Sequence, residues 1–204
     1  MEFEIDYQKN RKRRRRKRFI IKTAIWIVQI AAVIFLAYFI TNIVMEKTSV
    51  SGDSMEKALS DGDTLIVNRF AYLFSKPKRN DVIVFNQSGS EHDYYNTKRI
   101  IGLPGETVQI IDGEVYIDGT LLEEAIQCDS IQIPGLAKEP VLLEENEYFV
   151  LGDNRNNSED SRFANIGMVV REEIVGKAWL RLNNFGFVDT FNRRRDSQAE
   201  EAQK

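Results

Sequence analysis

Apolar residues follow two regimes along this chain. Between Phe19 and Met45 they run almost unbroken, with Lys22 the only charged residue; beyond that they come in short groups between turn-forming residues. The first pattern lacks a polar face and predicts a helix apolar on all sides. At about 1.5 Å per residue its uncharged part, 23–45, reaches about 34 Å. That is enough to cross a hydrocarbon core about 30 Å thick. A cleaved leader has the same basic-then-apolar order, but its apolar region is shorter and ends on small residues. Here the run ends in Thr41-Asn42-Ile43-Val44-Met45-Glu46. The expectation is one uncleaved transmembrane helix over 19–45.

The second regime predicts strands. Residues 64–67 and 82–85 are β-branched apolar runs, separated by the polar loop Lys76-Pro77-Lys78-Arg79-Asn80-Asp81. Three further runs, 107–111, 114–117 and 120–122, are divided by Asp112-Gly113 and Asp118-Gly119. Asp-Gly supplies the positive φ angles that a two-residue hairpin needs, so these runs predict a three-stranded meander. Residues 123–145 are irregular and acidic, and strand patterns return at 147–151 and 174–182. If 94–101 is also a strand, alternation sends Lys98 and Arg99 to opposite faces, one into a dry site and the other into solvent. The chain from 193 to 204 is a polar tail. The fold class is mainly β, preceded by the one helix.

Charge changes the picture at one end only. Residues 1–18 hold nine Lys/Arg against three acids, +6 of a formal −3, which leaves −9 for the rest. A basic tract abutting an apolar span reads as its cytoplasmic flank. Residues 1–18 are therefore expected inside and those from 46 onward outside, in a single-pass arrangement with membrane lipid as a partner. Nucleic-acid proteins spread basic charge over a folded face, so no nucleic-acid partner is expected. Cys128 is the sole cysteine and His92 the sole histidine. No intramolecular disulfide can form, no metal-ligand spacing is present, and no phosphate or dinucleotide fingerprint appears. No cofactor is expected.

Four segments concentrate chemistry-bearing residues: Ser51-Gly-Asp-Ser-Met55, Asp61-Gly-Asp63, Lys98-Arg-Ile-Ile-Gly-Leu-Pro-Gly-Glu106 and Gly152-Asp-Asn-Arg-Asn-Asn-Ser-Glu-Asp-Ser-Arg162. Singly they read as turns and polar surface. In this order after one span, the chain resembles the type I signal peptidases, with the likeness extending to about Leu182. The resemblance implies an antiparallel β catalytic core over 46–192 with a smaller inserted β domain, about 107–146. It implies Ser54 as nucleophile, Lys98 as general base and Ser158 as the hydroxyl that orients the lysine. Asp160 and Arg162 correspond to a supporting ion pair, and Asp153 and Arg155 to structural positions. Implied substrates are secretory preproteins with small residues before the cut, acted on by a monomer. One departure stands out. The family continues Ser-Met-x-Pro-Thr, whereas here Ser54-Met55 runs into Glu56-Lys57-Ala58.

The chemistry has its own requirements. Serine attack on a peptide carbonyl needs a base that is neutral at working pH, and only roughly one free lysine in two thousand is neutral at pH 7. Desolvation of Lys98, with Arg99 as a like-charged contributor, is the expected remedy. Asp53-Ser-Met-Glu56 has the form of a capping box, predicting a short helical turn whose opening Ser54 N–H serves as an oxyanion donor. Asp61 and Asp63 are expected to fix a turn before the strand at Thr64. His92, in an exposed polar loop, is the weaker candidate base. A self-cleaving Ser/Lys repressor would need a DNA-binding module in place of the span. An inactive membrane-anchored relative that binds exported chains is the alternative from another class.

Overall fold

The computed structural model describes residues 2–39, 45–86, 95–124 and 126–188, with side chains from Arg16 onward. His92, the polar tail 193–204 and the side chains of most of the basic tract lie outside the described residues. The chain forms two compact units, Met1–Val44 and Met45–Lys204. The first is the helix α1, Glu2–Phe39. Its stretch Arg16–Phe39 is long and apolar enough to cross a membrane by length and composition.

The second unit is built from antiparallel strands: β1 Met45–Ser49, β2 Thr64–Asn68, β3 Val82–Asn86, β4 Tyr95–Gly102, β5 Thr107–Ile111, β6 Glu114–Ile117, β7 Thr120–Leu121, β8 Val141–Leu142, β9 Glu147–Leu151, β10 Val169–Val170, β11 Ile174–Arg181 and β12 Gly186–Phe187. Met45, expected at the end of the helix, instead opens β1 and pairs with Asn68. The larger sheet runs β1-β2-β11-β3-β4-β9-β10, with β12 on β11. The smaller runs β7-β6-β5-β8. Its hairpins turn at Asp112-Gly113 and Asp118-Gly119, where all four residues have φ between 50° and 84°. That is the left-handed backbone a type I′ turn requires.

Alternation along the strands sorts the core into layers. Ile101, Phe149 and Leu151 of the larger sheet pack with Val108, Ile110, Val115 and Ile117 of the smaller one. Ile83, Ile100 and Val150 pack with Phe85 and Ile174. A third cluster joins Leu65, Val67, Val82 and Val84 to Met55 and Leu59. The last matters most for the site. Met55 is fully buried, so the residue after Ser54 is anchored in the core while Ser54 itself faces out.

Candidate active site

Ser54 lies in a run of turns between β1 and β2. The short helical turn predicted there forms, with Glu56 N–H donating to the Asp53 carbonyl at 3.1 Å and Leu59 N–H to the Met55 carbonyl at 2.7 Å, but Glu56 turns to Asn154 instead of closing the capping box. The Ser54 carbonyl accepts from the Asn154 N–H at 3.0 Å, and Ala58 N–H donates to Met55 instead. Asn154 Nδ2 also donates to the Asp53 carbonyl and to Glu56 Oε2. The Glu56 carboxylate is thus turned towards Asn154. Ser54 N–H meets no acceptor among the described residues. Asp61 and Asp63 hold the return of this segment: Asp61 accepts from Gly52 N–H at 2.8 Å and Asp63 from Ser60 N–H at 2.9 Å. Asp63 also pairs with Arg181 of β11.

Lys98 is carried on β4 opposite Ile83 of β3. Only 5% exposed, it reaches Ser54 Oγ with Nζ at 2.6 Å. Burial lowers its pKa from the ordinary lysine value; the carboxylates of Asp160, Glu159 and Asp153 pull the other way, and Arg162 assists burial. Arg99 is not the like-charged helper expected, nor is it in solvent. It is 2% exposed on the opposite face. Its guanidinium makes two bonds to Asp153, at 2.8 and 2.6 Å, and a third to the Asn80 carbonyl. A carboxylate 54 residues away in sequence satisfies its charge there.

The segment from Gly152 to Arg162 folds into a buried polar core. Asp160 accepts from Arg162 at 2.7 and 2.9 Å and from the Gly152 N–H at 3.1 Å. Arg162 also ties down the carbonyls of Ile133 and Arg155. Arg155 pairs with Glu124 and donates to the Gly152 carbonyl. Ser158 Oγ is buried without a hydrogen-bond partner. It therefore makes no bond to Lys98 here, although both residues line one cleft with Ser54. The cleft encloses about 690 Å³. Gly152 keeps its two walls close: a Cβ there would stand 2.2 Å from Ser158 Oγ and 2.6 Å from the Ser54 carbonyl oxygen.

A buried amine in hydrogen-bond contact with a serine on a cleft floor is equipped for hydroxyl activation. The family model for signal peptidase, peptidase S26, matches residues 23–183. The chain belongs to this signal peptidase family. It is 37% identical over 153 residues to the probable signal peptidase I-2 of Synechocystis sp., covering 72% of this chain and 67% of that one. With the signal peptidase I of Leptolyngbya laminosa it shares 40% over 156 residues, or 72% and 73% of the two chains. A solved signal peptidase I from Enterococcus faecalis V583 aligns at 32% identity and a TM-score of 0.39, over 50% of this chain and 97% of that chain. Signal peptidases of this family are membrane-anchored serine hydrolases, and nothing in these likenesses favours the inactive alternative.

Sequence reasoning missed Asn154 as the residue that shapes the turn around Ser54. Its signal was its place inside Gly-Asp-Asn-Arg, read for Asp153 and Arg155 alone. Lys57, which stands in the family's proline position, reaches Asp129 at 3.0 Å and the Gln127 carbonyl at 3.2 Å.

Proposed function

We propose that this chain is a membrane-anchored endopeptidase that removes amino-terminal signal peptides from exported preproteins, with Ser54 as nucleophile and Lys98 as general base. The 2.6 Å contact between Ser54 Oγ and a buried Lys98 Nζ carries the reading. In the working state the amine is neutral and accepts the serine proton as Oγ bonds to the scissile carbonyl carbon. The Ser54 N–H faces the developing oxyanion, a contact worth about 3–4 kcal/mol in other proteases. Collapse of the tetrahedral species breaks the C–N bond, and the protonated lysine returns its proton to the leaving amine. Water, deprotonated by the same amine, then attacks the acyl carbon, and as the C–Oγ bond breaks Lys98 returns that proton to Ser54 Oγ, freeing the acid.

Asp153, Arg155, Asp160 and Arg162 support the base from behind, and Ser158 rotates its unpartnered hydroxyl to the lysine during turnover. Residues 1–18 form a cytoplasmic tail, the span ends before Met45, and residues 46–192 form the extracytoplasmic peptidase, with 107–146 as an inserted subdomain and 193–204 as a polar tail. The chain works as a monomer on preproteins with small residues before the cut. An extended substrate gains backbone hydrogen bonds by pairing with a strand, and tethering to lipid raises its effective concentration.

Purified full-length chain in detergent, assayed on a preprotein, tests the reading. Ser54→Ala, Lys98→Ala and Lys98→Arg should each abolish cleavage while circular dichroism is unchanged, because a guanidinium cannot release its proton. Near-normal turnover by Lys98→Arg would remove Lys98 as the base. Protease added to right-side-out vesicles should digest residues beyond Glu46 and spare the first 18 residues.

A further inference from the structure

The cleft around Ser54 is lined by three charged side chains, Asp53, Lys98 and Glu159, among uncharged asparagines and serines. Asp53 precedes the nucleophile on one wall, and Glu159 follows Ser158 on the other; both are exposed. The Glu159 carboxylate is held in place by Asn165 Nδ2 at 3.0 Å. Other carboxylates near the lysine are engaged elsewhere. Asp160 is locked to Arg162 and the Gly152 N–H, and Asp153 to Arg99, both fully buried. Neither can meet a substrate.

This balance has a consequence once Lys98 is neutral, as catalysis demands. Among the described residues the cleft then presents two exposed carboxylates and no cation. A substrate carboxylate entering it meets like charge at close range, while a lysine or arginine is attracted. We propose that Glu159 is a specificity-determining residue, selecting preproteins with basic or neutral rather than acidic residues just after the scissile bond. The proposal rests on the peptidase reading above. Glu159 is better suited to this role than Asp53, since its hydrogen bond to Asn165 fixes where the charge sits. Among the groups facing Lys98, which are Asp160, Glu159, Asp153 and Arg162, Glu159 is also the one exposed member. It thus touches both substrate choice and the proton affinity of the base.

Three quenched fluorescent peptides, identical except for Lys, Gln or Glu just after the scissile bond, with small residues kept before it, test this with the full-length chain in neutral detergent. The wild type should cleave the Lys peptide about tenfold faster in kcat/KM than the Glu peptide at low salt, a ratio that shrinks as salt screens the charges. Glu159→Gln should bring the ratio close to one, Glu159→Lys should invert it, and Glu159→Asp should retain most of it. Glu159→Gln should also move the acid limb of the pH profile downward, because a carboxylate that favours protonated Lys98 is gone. Equal ratios in wild type and both charge variants would overturn the proposal while leaving the peptidase intact. Failure of the wild type to cleave even the Gln peptide would remove the peptidase reading and this proposal with it.

Discussion

Lys98 and Arg99 are neighbours on β4, and the two faces of that strand treat a buried cation in opposite ways. Behind the sheet, burial works against the Arg99 charge, but the paired carboxylate of Asp153 outweighs it and its pKa is raised. In front, Lys98 meets a serine hydroxyl, and burial prevails. Two of the carboxylates that would recharge it, Asp153 and Asp160, are close but committed to arginines, while the third, Glu159, is exposed. The difference teaches that a basic lysine needs more than a dry pocket. The buried acids nearby must also be neutralised, and Arg162, on Asp160, and Arg99, on Asp153, do so here.

Breaking the rear pair gives the largest effect. Arg99→Met leaves Asp153 buried without its partner and should destabilise the fold by about 3–5 kcal/mol, read by denaturant unfolding. The liberated Asp153 charge should also raise the Lys98 pKa, moving the acid limb of kcat/KM to higher pH. A destabilised variant with an unmoved limb would show that Asp153 has no hold on the base.

Ser158→Ala comes next. Removing a hydroxyl that orients a general base should slow turnover by about 100-fold. Stability should hold or rise, since a buried hydroxyl without a partner is lost. Unchanged turnover would take Ser158 out of the site.

The front cation makes a smaller, pH-dependent contrast. Folded Lys98 titrates below its ordinary value of 10.5. Between the folded and unfolded values the unfolded chain binds more protons, so stability rises with pH across that window. Below the window the cost of burying the charge is present in full. Lys98→Met should therefore be more stable than wild type in acid, with the gain fading as pH approaches 10.5. A constant gain at all pH values would mean that the amine is not desolvated.

The smallest effect is expected at Lys57→Met. Its pair with Asp129 is partly exposed, and such pairs contribute less than about 1 kcal/mol. A large loss of cleavage with that variant would make Lys57 a substitute for the proline of the family pattern.

Much of this was legible in the sequence where the signal is local. The runs at Thr64, Val82, Thr107, Glu114, Glu147 and Ile174 became strands, and both Asp-Gly pairs became tight turns. Ser54 and Lys98 stood out by motif, and their side chains do meet. What failed was non-local. Arg99 looked wet because its partner Asp153 lies far along the chain. The turn at Asp53 forms but its capping box does not, because Asn154, far along the chain, engages both the Ser54 carbonyl and the Glu56 carboxylate. The short strands β8, β10 and β12 carry too few residues to show a period of two.

The strand order also sets a schedule for the molecule. Ser54 enters the sheet through β2 and Lys98 through β4, yet between β2 and β3 lies β11, which comes from the far end of the chain. Pairings so distant in sequence form late, because loop closure precedes any gain from contact. A chain emerging amino terminus first therefore holds both Ser54 and Lys98 before the sheet between them is complete. Until residues 174–181 arrive and insert, β2 and β3 lack their common neighbour, so the contact between Ser54 and Lys98 is expected to close only after those residues have joined the sheet.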